Sequence, residues 1–210
     1  MKNLTRTLIL IPFCLYLAGC AHNPGDAELR TGHPENAARL YKAEAEKGDA
    51  AAALKIALLL EEGRVKADTF GSPSSWFEKA CRLGSLSGCH NVGLSYEFGK
   101  NGLNRELTKA YDYYLMAAER GYMRSQYKLA GLYANQYVQP SNDLEGLKWL
   151  LLAQDAAKSC QKDPLCKWIS DDSPGHKAKI KARLTEEQVK QAEYLAISWK
   201  PKVQSEPAPR

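Results

Sequence analysis

The sequence predicts an all-α fold, a solenoid of stacked antiparallel helix hairpins. Three observations carry that prediction. Gly48, Gly84 and Gly121 recur 36 and 37 residues apart, and the segments around them superimpose without gaps. Around each glycine, apolar residues return every three or four positions, the period of a helix with one buried face. No stretch of the 210 residues gives a convincing strand. A fixed period of this length belongs to hairpins that cannot bury their apolar faces alone and so stack on one another.

The first segment stands apart from that fold. Lys2 and Arg6 precede an apolar run from Leu8 to Leu17, which ends in Ala18, Gly19 and Cys20. Charged, then apolar, then small residues is the order of a secretory signal. About ten apolar residues fall short of the roughly twenty that cross a hydrocarbon core. The string Leu17-Ala-Gly-Cys20 resembles the lipobox of bacterial lipoproteins. That resemblance implies loss of residues 1–19 as a lipoprotein signal peptide and acylation of Cys20, which becomes the membrane anchor. Ala21 replaces the aspartate that commonly retains lipoproteins inside, which favours the outer membrane, facing the periplasm. Residues 20–34 hold Pro24, Gly25, Gly32 and Pro34 and read as a flexible tether.

Residues 35–200 read as the solenoid. Four residues after each anchor glycine stands a small residue (Ala52, Gly88, Ser125), and eight after it an aliphatic one (Ile56, Val92, Leu129). Nine after is small again (Ala57, Gly93, Ala130), and twelve after is large (Leu60, Tyr96, Tyr133). Small residues at these steps let two helices approach closely. Bulky pairs seven and eight residues upstream, Leu40-Tyr41, Trp76-Phe77 and Tyr113-Tyr114, mark the other helix of each hairpin. The glycine is the turn between them.

A fourth first helix follows, with Trp149 in the place of Leu40, Trp76 and Tyr113, and Gly146 in the place of Ala37, Pro73 and Ala110. No repeat glycine comes after it, and an irregular insertion runs from Cys160 through Gly175. Thr185-Glu-Glu-Gln188 is a capping box. It opens a last helix that runs to about Trp199 and stops at Pro201, the atypical end element a repeat array needs. Residues 201–210, with Pro201, Pro207 and Pro209, read as a disordered tail.

The segment Trp76-Phe-Glu-Lys-Ala-Cys-Arg-Leu-Gly-Ser-Leu-Ser-Gly-Cys-His-Asn-Val-Gly-Leu-Ser-Tyr-Glu-Phe-Gly99 closely resembles the Sel-1-like repeat, a relative of the tetratricopeptide repeat. The resemblance covers about residues 35–160. Four cysteines remain once Cys14 and Cys20 are set aside: Cys81, Cys89, Cys160 and Cys166. An exported chain with an even count at short spacing favours disulfides, and a zinc site is the competitor. Neither close pair has the two-residue gap of a zinc knuckle. The cysteine-rich branch of the repeat family joins the two helices of a hairpin by such a pair, which implies a Cys81–Cys89 bridge. Proximity implies Cys160–Cys166.

Chemistry beyond this is sparse. The net charge of +5, from 29 basic and 24 acidic side chains, is too even to argue for nucleic acid, and removal of the signal makes it more even. The four histidines are scattered, no phosphate loop is present, and Glu61-Glu62 and Asp171-Asp172 read as solvated surface. No catalytic residue, cofactor or metal is expected. Ser125-Gln-Tyr-Lys128 and Ser159-Cys-Gln-Lys162 match the Ser-x-x-Lys of penicillin-recognising enzymes. Cysteine-rich relatives have been associated with penicillin binding, so β-lactam binding is a minor alternative. Ser125 also holds the small-residue position shared with Ala52 and Gly88, a packing role.

The expected function is protein binding, without enzymatic activity. Positions ten and six residues before the turn are small or charged in the first two hairpins (Ala38, Lys42, Ser74, Glu78). They are apolar in the next two (Tyr111, Leu115, Leu147, Leu151). Those four form a candidate partner face, unless the C-terminal segment folds over it. Resemblance to small repeat lipoproteins implies an immunity protein that neutralises an antibacterial phospholipase effector delivered by type VI secretion. The alternative is a scaffold or assembly factor for envelope or surface-polymer machinery.

Overall fold

The computed structural model describes residues 23–138, 142–172 and 175–203, and they contain helices and no strands. The expected signal and Cys20, the expected acylation site, lie outside the described residues, as does the tail from 204 onward. Three antiparallel hairpins follow one another: α2 (Pro34–Glu46) with α3 (Ala50–Glu61), α5 (Pro73–Arg82) with α6 (Leu86–Phe98), and α7 (Leu107–Ala118) with α8 (Met123–Ala134). The second helix of each packs on the first helix of the next, and α8 packs on α9 (Asp143–Ala157). A short α4 (Ala67–Phe70) joins the first two hairpins, and the Phe70 carbonyl accepts the Trp76 indole N–H at 2.6 Å.

The repeat register has a direct structural cause. Gly48, Gly84 and Gly121 all hold φ between 88° and 102°, a left-handed turn that a side chain resists. The second residue of each bulky pair, Tyr41, Phe77, Tyr114 and Leu150, is fully buried. The first is buried only at Trp76 and Trp149, and Leu40 is 38% exposed. Gly88 and Gly93 are small because of what they touch. A Cβ on Gly88 would come within 2.8 Å of the Cys81 backbone nitrogen, and one on Gly93 within 2.5 Å of the Tyr114 ring.

Two segments depart from expectation. Residues 23–33, read as tether, contain α1 (Pro24–Arg30), which lies against α2. Its Gly25 sits on the face of the Tyr41 ring, the Tyr41 hydroxyl donates to Asp26, and Lys55 pairs with Asp26 at 2.5 Å. Asn23 donates to Glu44 at 2.6 Å. The insertion from Cys160 is also helical in part, with α10 (Pro164–Ser170) and α11 (His176–Lys181). The last helix, α12 (Glu186–Ser198), has the expected capping box: Thr185 Oγ1 accepts from the Gln188 amide, and Gln188 accepts from the Thr185 amide. After it, Lys202 returns to the α7–α8 turn, its amide donating to the Glu119 carbonyl at 2.7 Å. Cys81–Cys89 ties α5 to α6, and Cys160–Cys166 closes the turn before α10.

Candidate functional site

The four apolar residues offered as a partner face do not form an exposed patch. Leu147 is fully buried, packed with Ile180 of α11 and Ala192 of α12. Leu151 is half-buried in the same cluster, beside Leu184 and Val189. Tyr111 and Leu115 pack against the main core, and the Tyr111 hydroxyl meets that of Tyr133 at 2.9 Å. On α9 the cause is the end element: the fourth hairpin lacks a regular second helix, so α11 and α12 fold over α9 and cover Leu147 and much of Leu151. What that leaves open is a groove of about 820 Å³ between α9 and α12. Leu151, Leu152, Ile197, Trp199 and Pro201 line it, with Asp155, Lys158, Glu193 and Lys200 at its edges. Tyr194 and Ile197 on α12 are 70% and 82% exposed.

The Ser-x-x-Lys matches resolve into packing and surface. Ser125 is fully buried between α6 and α8, its Oγ 3.0 Å from His90 Nδ1. Burial, reinforced by the charges of Lys128 and Arg124, pushes the His90 imidazole down to about 3, so it is neutral at physiological pH. Lys128 is engaged by Glu97 at 3.0 Å, and Glu97 also accepts the Tyr114 hydroxyl. A serine with no path to solvent cannot meet an acylating substrate, so the pair Ser125 and His90 is a structural hydrogen bond. Ser159 is exposed and bonds the Ala156 carbonyl at 2.8 Å.

Sequence reasoning did not find the cavity that the insertion builds. It holds about 420 Å³ where α10 and α11 close against α6 and α8. Leu94, Leu132, Leu165 and Ile169 give it apolar walls, and Tyr127 and Trp168 meet edge to face with centroids 5.1 Å apart. His176 lies 5.2 Å from the Tyr127 ring, its imidazole pushed below its usual range by burial, partly offset by Asp172. Tyr127 and His176 are 5% and 8% exposed, yet Tyr127 Oη and His176 Nδ1 have no hydrogen-bond partner. Arg124 stands at the rim. The only sequence signals for this cavity are the irregular insertion itself and two of the scattered histidines. Among the described residues no group of three His, Cys, Asp or Glu side chains is placed to hold a metal ion. None of their helices is long and apolar enough to cross a membrane.

The chain matches the Sel1 repeat family over residues 75–85, 86–122 and 124–156, which pair α6 with α7 and α8 with α9. The first hairpin, α2 and α3, lies outside the matched residues although it shares their register. No curated protein sequence matches the chain significantly. Among solved structures, a Sel1 repeat protein from Oxalobacter formigenes aligns with a TM-score of 0.57 at 21% identity, over 82% of this chain and 69% of its own. A protective antigen present in uropathogenic Escherichia coli strains, displaying an SLR fold, aligns with a TM-score of 0.61 at 19% identity. That match takes in 82% of this chain and 37% of the antigen's length. Sel1 repeats generally mediate protein–protein interaction. Residues 75–156 of this chain thus match Sel1 repeats, and its fold is that of solved Sel1-repeat structures over 82% of its length.

Proposed function

We propose that this protein is an envelope lipoprotein, acylated on Cys20 and facing the periplasm from the outer membrane, whose solenoid binds another protein. Its partner, in this reading, is an antibacterial phospholipase effector that it neutralises. The observation that carries the binding part is the Sel1 hairpin stack, with an open apolar groove between α9 and α12 where the first-helix stripe is covered. The disulfides fit an oxidising compartment, and Leu17-Ala-Gly-Cys20 supports the anchor. The exposed Ile197 and Pro201 beside half-buried Leu151, Leu152 and Trp199 support the groove as the partner site.

Deleting the gene should leave cells sensitive to killing by kin that deliver a phospholipase by type VI secretion. Wild-type protein should restore survival. The Cys20→Ala protein should lose its membrane association on fractionation without detergent. If sensitivity is unchanged while surface polymer is lost or misassembled, the scaffold reading replaces immunity. If Cys20→Ala still fractionates with membranes, the anchor lies elsewhere.

A further inference from the structure

We propose that the cavity between α8 and the α10–α11 insertion is a binding site for a small carboxylate that carries an amide and an apolar ring, the chemistry of an N-acylated aromatic amino acid. Three features of different kind converge there. The walls, Leu132, Ile169 and the Trp168 and Tyr127 rings, accept a planar apolar body, and about 420 Å³ lies within the size range of small-molecule sites. Tyr127 Oη and His176 Nδ1 are buried without partners, and a buried polar group left unpaired is costly. An amide answers both, its carbonyl accepting from the tyrosine and its N–H donating to the imidazole nitrogen.

The third feature is the charge at the rim. Lys128 is taken up by Glu97, which leaves Arg124 exposed and without an ion pair among the described residues. Its planar fork matches a carboxylate. A lone ordered water between Tyr127 and His176 would satisfy the two polar atoms but would use neither the apolar walls nor Arg124. The acyl-amide and carboxylate pairing is also that of a peptide's last residue, so the source of the ligand must be separated by experiment.

Equilibrium binding of N-acetylphenylalanine, its uncharged primary amide, and the tripeptide acetyl-Ala-Ala-Phe to the full chain tests the proposal. The acid should saturate with a Kd below about 1 mM and bind at least fivefold tighter than its amide. Arg124→Ala should abolish that preference without changing the melting temperature, since the side chain is exposed. Tyr127→Phe, which keeps the ring, should weaken acid and amide alike by threefold or more. Tighter binding of the tripeptide identifies a peptide end as the source, and its exclusion identifies a free small acid. No saturation by any of the three up to about 10 mM, equal affinity for acid and amide, or no effect of Tyr127→Phe overturns the proposal.

Discussion

Gly84, Gly88 and Gly93 show what single positions in this chain report. Each is small for a separate reason: a left-handed turn, the backbone of α5, and the ring of Tyr114. Those constraints repeat with the period, so they were readable from spacing. His90 was not readable, because its burial depends on Tyr114 and Tyr122 packing around it from the next hairpin. Its lowered protonation has a measurable consequence. The folded state holds His90 neutral down to about pH 3, whereas the unfolded chain protonates near 6.5. Between those values the unfolded state binds the extra proton, so the stabilisation is fully present above pH 6.5 and drains away as pH falls. We expect urea melts at pH 7.5, 6.0 and 4.5 to show wild type losing up to about 1.4 kcal/mol per pH unit more than His90→Gln. Parallel slopes would mean that His90 titrates normally.

At the scale of elements, proline and glycine suit a tether by composition, yet in this chain they punctuate helices. Pro24 and Pro34 stand in the first turns of α1 and α2, and Gly32 turns the chain between them at φ 83°. The same residues serve a loose linker, and only the tertiary partner Tyr41 decides between the two. If α1 is docked, a chain beginning at residue 34 should melt roughly 4–8 °C below one beginning at residue 23, corresponding to a loss of about 2 kcal/mol in a domain of this size. Differential scanning calorimetry on the two proteins checks this, and equal melting would restore the tether. The last helix was legible for the opposite reason. Its capping box is a local signal that needs no tertiary context.

For the whole molecule, the sequence made the stack visible because each hairpin repeats the same close approaches. It could not show which apolar stripe the end element covers, since an exposed face and a covered one have the same composition. Leu147 is the test of that covering: it touches Ile180 and Ala192, neither near it in sequence. A chain ending at residue 184 should therefore lose amide protection in α9 by tenfold or more in hydrogen exchange, while α2 and α3 keep theirs. Nearest-neighbour stacks confine damage in this way, and loss spread evenly over all hairpins would show a single cooperative unit. Under the proposed anchor on Cys20, the docking of α1 would also set how far this protein can stray from a bilayer. Asn23 is already bonded to Glu44, so only two residues lie between it and Cys20, three Cα steps with a reach of at most about 11 Å. The expected tether of fifteen residues would have allowed about 50 Å. If Cys20 is acylated as proposed, the first hairpin would skim the headgroups, and the molecule would work as a short-moored body that meets its partners within one thin layer of the envelope.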